Sequence, residues 1–124
     1  MTRRVEGSAA DAELAIRSAL ADEGFGILSE IDVAATFKAK LDLDRGPYKI
    51  LGACNPNLAS RALDVDEEMG LLLPCNVVVY ESGGGTVVSI LEPEVMSTIT
   101  DAAEVADIAA EAKERLRRAL EAMA

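Results

Sequence analysis

Histidine and tryptophan are missing from this 124-residue chain, and aromatic residues make up only 3% of it. Without histidine no imidazole can activate a serine or shuttle a proton near neutral pH, so the familiar hydrolase constellations are excluded. Basic residues are scarce as well: twelve Lys and Arg stand against twenty-two Asp and Glu, a formal charge of −10. That field opposes the phosphate neutralisation on which most nucleic-acid affinity rests, and it repels anionic membrane surfaces. No run of residues approaches the eighteen or more uncharged apolar positions of a membrane span. The start, Met1 to Gly7, passes into polar residues instead of an apolar signal core, so a cytoplasmic protein is expected. Cysteine is limited to Cys54 and Cys75, too few for a secreted disulfide scaffold, and free thiols are the expected state.

What is present fits one folded domain. Half the residues are apolar, and a chain of this length buries roughly two-thirds of its unfolded surface, enough for a core without staples. Arg3–Glu6 reads as a short strand. Ser8, with Asp11 three residues on, opens a helix over 9–23 whose inner face is Ala12, Ile16, Ala19 and Leu20, with Gly24 as its stop. The two-residue period of Phe25, Ile27 and Ile31 predicts a half-buried strand. Asp32 can cap a second helix through Val33, Phe37 and Leu41, which the turn-forming Asp42–Pro47 ends.

Tyr48–Ala53 is the next predicted strand, and Asn55-Pro56 places a cap residue before proline at the first helical position. Leu71–Tyr80 reads as a strand with Pro74 at a bulge or edge. Gly83-Gly84-Gly85 supplies a hairpin turn into Thr86–Leu91. Beyond Pro93 a short helical turn leads to a terminal helix over 101–122 with Val105, Ile108, Ala112, Leu116, Ala119 and Leu120 on one face. The fold class is therefore α+β, a single antiparallel sheet covered on one face by helices 9–23 and 101–122. Two helices leave part of the other face uncovered, and a second copy is the expected cover, giving a homodimer.

Chemistry-bearing residues are few. Gly52-Ala53-Cys54-Asn55-Pro56 and Leu73-Pro74-Cys75-Asn76 each join a Cys-Asn dipeptide to proline at a strand boundary. Cys54 precedes a helix N-terminus, whose amides and dipole can favour a thiolate, while the plainer reading of both cysteines is as small buried hydrophobes. Antiparallel strands would bring the pair to one rim. Parallel strands would hold them well beyond the separation of about 7 Å that a disulfide allows. Two thiolates without histidine leave a zinc site half built, so neither metal nor cofactor is expected. The acidic cluster Asp64, Asp66, Glu67 and Glu68 lacks the spacing and glycine of a calcium loop. Tyr48, near Arg45 and Lys49, offers an aromatic with cations that could line a pocket, or it is simply an exposed strand start.

The segments Gly24-Phe25-Gly26-Ile27-Leu28, Glu30-Ile31-Asp32, Tyr48 through Pro56 and Gly70 through Val77 resemble the bacterial and archaeal domain of unknown function 302 family over almost the whole chain. The resemblance implies a TATA-binding-protein-like arrangement, strand-helix followed by four strands and a long helix, found in dimers, with no established reaction and no settled catalytic residue. Cys54, Asn55, Cys75 and Asn76 occupy its motif positions. The site candidates are these four and Tyr48. They serve two expectations: a non-enzymatic module binding a small apolar or thiol-reactive molecule or a protein partner, or a redox protein in which Cys54 attacks and Cys75 resolves.

Overall fold

The computed structural model describes residues 1–123. Three strands and three α-helices alternate through the first half of the chain: β1 (Thr2–Val5), α1 (Ala9–Asp22), β2 (Gly26–Asp32), α2 (Val33–Leu41), β3 (Tyr48–Cys54) and α3 (Pro56–Val65). A 3-10 helix (Glu67–Leu72), the hairpin β4 (Cys75–Ser82) and β5 (Gly85–Ile90), a second 3-10 helix (Pro93–Thr98) and α4 (Ala103–Ala122) complete it. The strands form one sheet in the order β1-β5-β4-β3-β2, and every neighbouring pair is antiparallel. This is the expected α+β fold, with α2 and α3 inserted as short connections between strands. Among the described residues no helix is long and apolar enough to cross a membrane.

Local signals start and stop the elements. Ser8 Oγ accepts from the amide of Asp11 at 3.1 Å and opens α1; Asp32 Oδ1 accepts from Ala35 at 2.9 Å and opens α2. Asp42, with φ of 50°, closes α2 in the left-handed region. Gly83 and Gly84, with φ of 60° and 81°, supply the two positive angles that a two-residue turn between Ser82 and Gly85 requires.

The predicted faces of α1 and α4 are buried in full. They pack against the inner face of the sheet, where Leu51, Val77, Val79, Val88 and Ile90 are sealed from water. On the outer face stand Tyr48, Ile50, Val78 and Tyr80, all only partly covered.

Two expectations need correction. The period of Phe25, Ile27 and Ile31 does not hold, because the register of β2 on β3 slips between Ile27 and Ser29. A bulge at Leu28 reverses the phase, so Phe25 is buried and Ile31 is half exposed on the outer face. The strand expected over 71–80 begins only at Cys75. Asp66 Oδ1 accepts from Glu68 and starts a 3-10 turn through Leu72, anchored by the buried Met69, with Leu71 pointing to solvent.

Candidate functional site

The five predicted site residues fall into two groups at opposite ends of β3. Cys54 and Asn55 lie at its C-terminal end, Tyr48 at its start, about 20 Å away along an extended strand. Because β3 and β4 are antiparallel, Cys75 sits opposite Ala53, one residue from Cys54, and Asn76 sits opposite Gly52 on the outer face, exposed. The two cysteines therefore share one rim.

The rim is closed. Cys54, Asn55, Cys75, Phe25, Leu58 and Met96 surround a void of about 20 Å³, room for about one water and for no larger ligand. Asn55 is buried, and its side-chain oxygen accepts from the amides of Asn57 (3.1 Å) and Leu58 (3.3 Å). Those are the helix-terminal donors that would have stabilised a Cys54 thiolate. Burial pushes the Cys54 thiol above its ordinary pKa. Burial pushes the Cys75 thiol up too, with a further rise from the charge a Cys54 thiolate would carry. Of the two readings of Cys54, the buried small thiol is the one these contacts support, since α3 spends two of its N-terminal amides on its own cap.

In native protein treated with iodoacetamide from pH 5 to 10, neither cysteine is expected to alkylate ahead of a free thiol, and Cys75 is expected to wait for unfolding. A Cys54 that reacts below the reference thiol pKa of about 8.5 would contradict this. The linked effect on stability has a fixed sign. Each thiol contributes fully below its unfolded pKa, and that contribution is lost as pH rises through the raised folded value.

The other end of β3 is open. Tyr48 stands directly opposite Tyr80, and the rings stack with centroids 5.2 Å apart at 12°. The Arg45 guanidinium lies over both Phe37 (5.8 Å) and Tyr48 (5.6 Å). Between α2 and the outer face of the sheet these residues border a groove of about 500 Å³, floored and walled by Ile31, Val33, Phe37, Tyr48 and Ile50. A second hollow of about 440 Å³ opens on the far side of Tyr48 and Arg45, beside Glu13, Asp32, Lys49 and Glu81.

Two of the charges bordering that second hollow, Lys49 and Glu13, are paired. Lys49 reaches Glu30 at 2.7 Å and Glu13 at 3.1 Å, and Arg17 reaches the same two carboxylates at 2.7 Å and 2.9 Å. The hydrogen bond with Lys49 holds Glu30 below its ordinary pKa and raises that of Lys49. Sequence reasoning found Tyr48 and its cations but missed Ile31, Phe37 and Ile50 as partners. Among the described residues no three His, Cys, Asp or Glu side chains converge as a metal site.

Fold and site together define a small α+β domain with two open hollows, of about 500 and 440 Å³, on either side of Tyr48 and Arg45. The chain belongs to the family described as Domain of unknown function DUF302, whose family model it matches over residues 1–123. It is similar to a solved structure, an uncharacterized conserved DUF302 protein from Bacillus stearothermophilus, at 30% identity and a TM-score of 0.91, covering 100% of this chain and 97% of that one. No curated protein matches it.

Proposed function

We propose that the protein is a non-catalytic binding module, a cytoplasmic homodimer, that holds a small apolar molecule in the groove between α2 and the outer sheet face. The observation that carries this reading is the groove itself. Five apolar or aromatic side chains from β2, α2 and β3 line about 500 Å³, a size typical of small-molecule sites. Tyr48 is the one predicted site residue that borders it. Cys54, Asn55 and Cys75 line the filled rim, where they serve packing and capping.

Dimerisation has its support in the remaining outer face, where Val78 and Tyr80 lie only partly covered, and in the exposed Leu28, Leu41 and Leu43. Thermal unfolding reads both parts of the proposal. A molecule that binds only the folded state raises the midpoint in proportion to the logarithm of its concentration, and a dimer makes the midpoint rise with protein concentration. A broad panel of small apolar compounds with no effect on the midpoint would remove the binding reading. A midpoint independent of protein concentration would remove the dimer.

A further inference from the structure

The groove carries one charge, and its setting is unusual for this chain. Carboxylates outnumber cations by nearly two to one, and the cations are almost all engaged. Arg3 and Arg4 donate to backbone carbonyls. Arg17, Lys38, Lys49, Arg61, Lys113, Arg115, Arg117 and Arg118 meet carboxylates. Among the described residues only Lys40 and Arg45 have neither kind of partner. Lys40 lies exposed on α2, one turn beyond Phe37, and does not line the groove. Arg45 is held over the rings of Phe37 and Tyr48 at the groove's edge. Those contacts fix the guanidinium in place without using its N–H donors, which lie around the ring plane and stay available to a carboxylate.

We infer that the groove is a site for a small amphipathic anion, with an apolar body against Ile31, Phe37 and Ile50 and a single carboxylate-like head on Arg45. This inference rests on the binding reading above and names the ligand's class. The chain's overall charge of −10 would by itself disfavour any anion over its neutral counterpart. A preference for the anion therefore has to come from a local cation, and Arg45 is the cation this groove has.

Two dyes with the same apolar body test it by fluorescence titration at low salt: anionic 1-anilinonaphthalene-8-sulfonate and neutral N-phenyl-1-naphthylamine. The wild-type protein is expected to bind the anion about tenfold more tightly than the neutral dye, the lower end of what a charge-assisted contact supplies. Arg45→Gln should cost the anion about tenfold and leave the neutral dye within twofold. Arg45→Lys should restore part of the loss, and Lys40→Gln should change neither. Decanoate should displace the anionic dye. Since Arg45 is exposed, the variants should keep the wild-type unfolding midpoint. If the neutral dye binds and Arg45→Gln moves neither affinity, or both equally, the anion assignment falls while the groove stands. If neither dye binds, both readings fall.

Discussion

Leu116→Ala is expected to lower the free energy of unfolding by about 2–5 kcal/mol. Leu116 is fully buried near the middle of the inward face of α4, with Ala112 and Ala119 one turn away on either side. Those alanines let the helix approach α1 and the sheet closely, and for the same reason they cannot expand into the space a truncated leucine leaves. The loss is then the transfer energy of the missing atoms plus the cost of an uncollapsed cavity. Against a total of about 5–15 kcal/mol for a domain of this kind, that is a large share. Urea denaturation should show a lower midpoint at unchanged slope. Leu14→Ala, at a position 68% exposed on α1, should stay within about 0.5 kcal/mol of wild type. Equal effects at both positions would contradict the packing described here.

Gly52→Ala is expected to destabilise by about 1–3 kcal/mol or more, although alanine should ordinarily improve a strand interior. A Cβ at Gly52 would stand 2.6 Å from Pro74 Cγ and would overlap Ser29 Oγ. The serine hydroxyl can rotate away. The proline ring cannot, so the segment leading into β4 must shift, and Cys75 shifts with it. Ser29→Ala in the same chain should recover only part of the loss. Faster alkylation of Cys75 in Gly52→Ala would place the disturbance at that junction. A variant as stable as wild type would show that Pro74 does not close on β3.

These two residues also show what the sequence could and could not display. Leu116 was legible, because the face running through Val105, Ile108, Ala112 and Leu116 follows the helical period and only one packing uses it. The hairpin was legible because adjacent glycines are nearly the only way to place two positive φ angles in a row. The reason for Gly52 was not, since it depends on a proline 22 residues away, just before β4, reaching across to β3.

The bulge at Leu28 carries no glycine or proline to announce it, so the two-residue period alone puts Ile31 on the wrong face. Likewise the apolar run Leu71-Leu72-Leu73 reads as strand until Asp66 is seen to cap a 3-10 turn. Of the candidate site, the nearness of Cys54 and Cys75 follows from an antiparallel pairing of their strands. The rise of the Cys54 thiol is not legible there, because it comes from burial by Phe25, Leu58 and Met96, which reach it from other parts of the chain. The groove was half legible. Tyr48 and Arg45 stand three residues apart, whereas Ile31 and Phe37 join them only when β2, α2 and β3 are assembled.

The central claim is that ligand binds at the Tyr48 end of β3 and not at the cysteine rim, and a map of backbone amide shifts in 15N-labelled protein titrated with 1-anilinonaphthalene-8-sulfonate tests it most directly. Shifts are expected to concentrate at Ile31, Phe37, Arg45, Tyr48 and Ile50, leaving Cys54, Asn55, Leu58 and Cys75 in place. Shifts centred on that second set, with the first unmoved, would contradict the account.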